Sequence, residues 1–402
     1  MGQGRLKLIA WSFGLPVLAL AGLFVVYVVL AEFLPKQSEI DLKHAFEYQR
    51  RELHSEAEHL ITSDGLAREN HRVFTVDLAQ LAIYATHARD RALFENLRAI
   101  LLDNIVVDTP DDPYLHGMVA WGFTADPDDA TKRVQSLDAS GTTEALRVAE
   151  ALTLGMDAFS YDDAQTVRDI LAAYARHGYA EAHGGDTPTW YIRNYLNLQT
   201  RAFATNCFLI DLDPDLVARL AERFDDDALR DLAQRKAKLI EACRIGNEDG
   251  AGWGLLHQMI RPEVATAMGP DYVVYSANGH ERLNLTLTVA ERCVTTNPQA
   301  ARAAFDFAMD RLDDLRLAYD IDSGQPAHGE EEPHVGPETL APLLRLAVRL
   351  GERDAVETIL PHLLRVSADL PESTHPAKLY AIGETLWALE VARRFLALPP
   401  SP

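Results

Sequence analysis

The sequence predicts an all-α protein, an (α/α) toroid of helical hairpins preceded by one N-terminal transmembrane helix. Three observations predict it. Segments with apolar residues at i, i+3, i+4 and i+7 follow one another along the chain, and no alternating run is long enough for a sheet strand. Their connections alternate between tight turns and long loops, and no period of about 34 or 40 residues repeats, which favours a closed ring over a solenoid. Leu8–Ala31 runs for 24 residues without a charged side chain, enough for a helix to cross the roughly 30 Å hydrocarbon core of a bilayer.

The elements follow in chain order. Residues 1–7 form a cytoplasmic N-terminus, because Arg5 and Lys7 precede the apolar run while Glu32, Lys36, Glu39 and Asp41 after it are mixed in sign. Residues 8–34 form the signal anchor. A cleavable signal peptide is the alternative, given the small residues Ala19-Leu20-Ala21-Gly22, but its apolar region is normally only about 7–15 residues long. Residues 35–74 read as a helical stalk and first helix, and 75–398 as the toroid.

Helices are expected at Leu42–Thr62, Thr75–His87, Arg91–Val106, Thr142–Phe159, Tyr161–Gly178, Leu196–Ile210, Pro214–Phe224, Asp227–Arg244, Gly279–Val294, Pro298–Tyr319, Pro337–Leu350, Arg353–Val366 and Pro376–Leu398. Asp213-Pro214 and Asn297-Pro298 combine a capping side chain with proline in the first turn. Gly178, Gly246 and Gly351 fall where a left-handed residue would close a helix. The long loops Asp108–Ser140, His183–Asn194, Gly246–Asn278 and Asp320–Gly336 are the places for function.

Composition narrows the ligand. A formal charge of −22 and pI near 5.0 exclude nucleic acid and disfavour polyanionic substrates. Cys207, Cys243 and Cys293 are far apart and odd in number, which suits buried small hydrophobes better than a zinc knuckle or a disulfide framework. The stretch His328-Gly329-Glu330-Glu331-Glu332-Pro333-His334 carries metal-ligand types at a spacing that fits no closed site. No nucleophile elbow, zinc-binding helix or phosphate loop is present, and Gly246, Gly250, Gly252 and Gly254 follow no strand, so no cofactor is expected. Arg235-Lys236-Ala237-Lys238 reads as a solvated helix face.

Two stretches carry a family resemblance. Leu78–Phe94, LAQLAIYATHARDRALF, with the aromatic loop VAWGF at Val119–Phe123, is similar to the early helix pair of the family 8 glycoside hydrolases. Gly141–Phe159, GTTEALRVAEALTLGMDAF, resembles that family's signature A-[ST]-D-[AG]-D-x-x-[IM]-A. Thr142, Ala149, Ala151, Leu152 and Phe159 fit it, whereas Thr143 and Ala145 stand where its aspartates would be. The resemblance implies an (α/α)6 toroid acting on polysaccharide. It also implies an early general acid near Val76 and Asp77, and an association with exopolysaccharide synthesis or export.

Glycoside hydrolysis needs one protonated carboxylic acid and one carboxylate. Glu144 is the candidate acid, with a capping-box role as the alternative. Asp138, in the same loop, and Asp77, in a first turn where an acid also complements the helix dipole, are candidate partners. Sugar binding calls for aromatic faces and amides. The candidates are Trp121, then Trp190, Tyr191, Arg193, Asn194 and Tyr195, then Asp249 and Trp253, then Tyr275, Asn278, His280 and Glu281. These loops are expected to converge on one mouth, unless their aromatics instead plug the core. A glycan-binding subunit without chemistry is a competing reading. So is a polysaccharide lyase or epimerase using Tyr275, His280, Asn278 and Arg193.

Overall fold

A computed structural model describes residues 37–61, 72–125, 133–135, 139–181, 189–246, 253–262, 272–275, 279–329, 335–374 and 377–397. The expected anchor, Asp138, Asp249, Asn278 and the acidic loop 330–334 lie outside the described residues. Among those described, no helix is long and apolar enough to cross a membrane.

The described chain contains twelve α-helices: α1 (Gln37–Ile61), α2 (Thr75–Ala88), α3 (Arg91–Asn104), α4 (Thr142–Phe159), α5 (Ala164–Ala175), α6 (Pro214–Phe224), α7 (Asp227–Ala242), α8 (Leu283–Glu291), α9 (Pro298–Met309), α10 (Pro337–Leu350), α11 (Arg353–Val366) and α12 (Lys378–Phe395). The chain divides into two compact units, Met1–Tyr48 and Gln49–Pro402. The second unit is a ring. Its inner helices touch in the order α4, α2, α12, α10, α8, and the 3₁₀ turn Leu209–Asp211 that leads into α6 bridges α8 back to α4. Four of these and α6 are each followed in the chain by an outer helix packed against it: α3 on α2, α5 on α4, α7 on α6, α9 on α8 and α11 on α10. The part of α1 from Gln49 onward takes the remaining outer position, where Gln49 Nε2 donates to the Ser367 carbonyl at 2.6 Å and Lys378 pairs with Glu56 at 2.6 Å.

Burial explains which helices lie inside. Every residue of α2 from Leu78 to Thr86 is buried, whereas α3 buries only Leu93, Phe94, Leu97 and Leu101, a single stripe at helical spacing. The α3–α4 contact is close enough that a methyl group on Gly155 would stand 2.1 Å from the Phe94 ring. Ions as well as methyl groups fill the centre. Arg345 of α10 makes a two-pronged bond to Glu291 of α8 at 2.9 Å and reaches Glu384 of α12 at 2.8 Å, with its guanidinium 4.0 Å from the Trp387 ring. Gln80 of α2 donates to Glu384, extending the network to a fourth inner helix.

Several expectations are corrected. Leu196–Ile210 is not a helix. Leu196 pairs with Ser140 and bridges to Phe203, and Cys207-Phe208 pairs with Ile260 and Met259. Between them the Asn197 side chain accepts from the Gln199 and Thr200 amides, and Arg201 is left-handed at φ 59°. The apolar spacing there is met by non-local strand partners. The chain therefore has short antiparallel strands of two to four residues, which the all-α reading omitted. The helix expected over Pro298–Tyr319 stops at Met309, and the one expected from Gly279 opens with a strand at His280–Arg282. Gly178 begins a strand and Gly246 lies beyond the end of α7. Gly351 closes α10 left-handed as expected, and the other left-handed closures fall at Arg89, Ser160 and Asp225. Asp213 and Asn297 cap as expected, accepting from the amides of Leu216 and Ala300. All three cysteines are buried and unbridged.

Candidate active site

A cavity of about 540 Å³ opens at the N-terminal ends of the inner helices. Val76 and Gln80 of α2, Thr143 and Glu144 of α4, Ile210 and Asp211 of the 3₁₀ turn and Tyr380 of α12 form its walls, with Arg292 beneath. Trp121, Asn194 and Tyr195 stand at its rim.

Local pairing fixes this geometry. Gly141, the residue before α4, pairs with Tyr195. The Thr142 amide and hydroxyl both donate to the Asn194 carbonyl, at 3.1 and 3.0 Å. The Trp121 amide donates to Ala139 and its carbonyl accepts from Thr75, while Phe74 braces its ring at a centroid distance of 5.4 Å. Trp121 and Tyr195 remain 37% and 43% exposed, so both offer aromatic surface to a ligand.

Two carboxyls share the cleft. Asp211 is buried, its Oδ1 accepting from the Thr143 hydroxyl at 2.6 Å and its Oδ2 from the Phe208 amide at 3.2 Å. Burial pushes Asp211 up to about 6 against those bonds. Glu144 is pushed up to about 7, chiefly by burial and further by the negative charge of Asp211, with a bond from its own backbone amide and Arg292 opposing. A full capping box is absent because the residue at the cap is Gly141, which has no side chain, although the Glu144 carboxyl does accept from a backbone amide. The Glu144 carboxyl instead folds over that glycine, where a methyl group would stand 1.9 Å from Oε2.

The remaining polar groups have unmet capacity. Gln80 Oε1, Asn194 Oδ1 and Arg292 Nε are buried atoms without a hydrogen-bond partner. Arg292 is otherwise anchored, donating to the Ile210 carbonyl at 2.7 Å. Arg292 Nε faces Asp213 Oδ2 at 3.8 Å, and the two acceptors left open in a walled cleft call for a ligand that donates hydrogen bonds, as hydroxyl groups do.

Of the sequence candidates, the structure brings together Glu144, Trp121, Asn194 and Tyr195. Asp77 is buried in the first turn of α2, where Val76 and Gln80 are the residues lining the cleft. Tyr191 is 2% exposed and belongs to the core. Arg193 donates to the carbonyls of Arg176, His177 and Gly178 and stacks on Phe203, so it serves the fold rather than a ligand. Glu281 is buried and accepts from the Gln258 amide at 3.0 Å, and His280 sits in the strand paired with Ala318–Asp320. Trp190 and Tyr275 lie in the strands Thr189–Ile192 and Tyr272–Tyr275. Trp253 lines a separate cavity of about 420 Å³ with Arg244, His257 and Asp322, so the expected single mouth is divided. Another cavity, about 620 Å³, lies between the outer helices α5 and α7 and shares no residue with this cleft.

Sequence reasoning missed Asp211, Arg292, Gln80 and Tyr380. The only local signal for Asp211 was its place in the acidic run Asp211-Leu212-Asp213-Pro214-Asp215, whose three aspartates diverge. Asp213 caps α6 and pairs with Arg147 at 3.2 Å, and Asp215 accepts from Thr295, Thr296 and Arg349.

A ring of alternating inner and outer helices with a cleft at one end is the fold of the family 8 glycoside hydrolases. A cold-adapted family 8 xylanase matches with a TM-score of 0.56 at 12% identity, over 81% of this chain and 80% of that one. An endo-1,4-D-glucanase from Vibrio fischeri ES114 gives 0.56 at 14%, over 80% and 87%. An alpha-amylase from Clostridium perfringens gives 0.61 at 14%, also over 80% and 87%. No protein-family profile and no curated protein sequence matches the chain.

Proposed function

We propose that the protein is a membrane-anchored glycoside hydrolase acting on a polysaccharide, with Glu144 as general acid and Asp211 as partner carboxylate. The observation that carries this reading is the pair itself: two carboxyls lining one cleft, Asp211 held by the Thr143 hydroxyl and Glu144 next to Thr143 in the chain, both pushed up by burial. The higher, Glu144, keeps its proton longer and suits protonation of the leaving oxygen. The lower, Asp211, ionises first and suits activation of water or attack on the anomeric carbon. The partners expected from sequence, Asp138 and Asp77, rank behind Asp211.

The fold likeness to a xylanase, a glucanase and an alpha-amylase favours a polysaccharide ligand. So do the exposed rings of Trp121 and Tyr195. The lyase or epimerase reading loses Arg193 as its neutralising group, because Arg193 is engaged by backbone carbonyls. The charge-free run Leu8–Ala31 supports a single-pass anchor in the cytoplasmic membrane, with the ring in the periplasm or outside the cell. There the ring would meet polysaccharide synthesis or export machinery.

The test is reducing-end release by the purified chain from a panel of neutral and acidic bacterial polysaccharides, beside Glu144→Gln and Asp211→Asn. Release that falls by about 10³-fold or more in both variants supports the assignment. Binding to one polymer without release would move the reading to a glycan-binding subunit.

A further inference from the structure

We propose that Lys236 and Tyr174, on outer helices behind the cleft wall, are positioning residues that hold Asp211 in place through its backbone. The inference rests on the assignment of Asp211 as the partner carboxylate. Its basis is a run of three consecutive carbonyls, each held by a side chain from a different place. Arg292, just after α8, donates to Ile210 at 2.7 Å. The Tyr174 hydroxyl of α5 donates to Asp211 at 3.0 Å. The Lys236 ammonium of α7 donates to Leu212.

The last two are themselves joined, because Lys236 Nζ stands 4.2 Å from the centroid of the Tyr174 ring. Both side chains are fully buried, so Lys236 departs from the solvated helix face expected of Arg235–Lys238. A buried lysine, its amine pushed down to about 7 by burial, is a costly way to satisfy one carbonyl. The turn it grips has a matching need. Asp213, the next residue, is held left-handed at φ 36° and ψ 64°, a strained conformation for a residue with a side chain. A turn under strain that carries a reactive carboxyl stays in register only if its surroundings fix it. The charged and titratable groups around the ammonium are Asp213, Cys207, Asp211 and Arg292.

The experiment uses the full chain in detergent, with Lys236→Met and Tyr174→Phe. Each variant is titrated by carboxyl NMR after ¹³C labelling of aspartate, with Asp211→Asn to assign the signal, and each is assayed on the polymer found above. The expected result for Lys236→Met is a kcat lower by about tenfold or more with KM held within about twofold, and for Tyr174→Phe, which changes no charge, an Asp211 midpoint displaced toward the ordinary carboxylate range. If Lys236→Met does not fold, Tyr174→Phe, which removes one hydroxyl, carries the same test with a smaller loss. An unmoved Asp211 midpoint together with unchanged kcat overturns the proposal. If no polymer is hydrolysed, the hydrolase reading falls, and the Asp211 titration, which needs no substrate, still decides whether Lys236 and Tyr174 set that carboxyl.

Discussion

Glu144 and Asp211 can be held to account by pH. A hydrolase that needs Asp211 ionised and Glu144 protonated works best between their values of about 6 and about 7, so kcat against pH should be a narrow bell centred in that window. A broad plateau extending above about pH 8 would remove Glu144 as the acid. Stability gives an independent check. Glu144 has a folded value of about 7, above the ordinary 4.5. Below 4.5 the carboxyl is protonated in folded and unfolded chains alike, and folding loses nothing. As pH rises through the window the unfolded carboxyl ionises first, so stability declines until about 7 and then stays level. Glu144→Gln should therefore be more stable than the parent by roughly 1–3 kcal/mol at about pH 8 and equal to it at about pH 4, as read by urea unfolding at the two pH values. The residue types of Glu144, Trp121, Asn194 and Tyr195 made them visible in the sequence. Asp211 was hidden because an aspartate two residues before a capping Asp-Pro reads locally as solvent-facing, and only the Thr143 contact across 68 positions shows otherwise.

Among the elements, the inner helices are tied by Arg345, whose two carboxylate partners lie on the helices either side of it. Arg345→Met would leave Glu291 and Glu384 buried without a counter-charge, and we expect a loss of about 3–5 kcal/mol in denaturant unfolding. A change under about 1 kcal/mol would mean that the carboxyls protonate or rehydrate at little cost. Helices with punctuation in the sequence were legible: Thr142–Phe159, Pro214–Phe224, Pro337–Leu350 and Arg353–Val366 stand at the expected bounds. The segment Leu196–Ile210 was misread because its apolar residues fall at helix-like intervals, yet Leu196, Cys207 and Phe208 pair with Ser140, Ile260 and Met259. Periodicity records that a residue is buried. It does not record whether a neighbouring turn or a distant strand covers it.

At the scale of the molecule, the alternation of short and long connections made the ring legible, and the division of its mouth into two cavities was not, because loop length says nothing of where a loop lands. The anchor is tested by fractionation. The full chain should stay with membranes through alkaline carbonate and leave only in detergent, whereas a chain beginning at Gln37 should remain in the aqueous phase. Release of the full chain by carbonate would argue for cleavage or peripheral attachment instead. With a net charge of −22, adhesion to anionic lipid cannot substitute for a span.

The ring closes where α12 meets α2, and the bond from Gln80 to Glu384 joins positions 304 residues apart. This sets an order of events. α2, buried around its whole circumference from Leu78 to Thr86, is covered on two sides by α3 and α4 but must keep its remaining flank bare until α12, about 300 residues later, has been synthesised. A chain stopped short of Lys378 loses the closing segment of a hoop and leaves the flanks of both α2 and α10 bare. Termination just before Lys378 should therefore be as damaging as termination near the middle, and the bare flank of α2 makes the waiting chain a natural client for holding factors until the circle is complete.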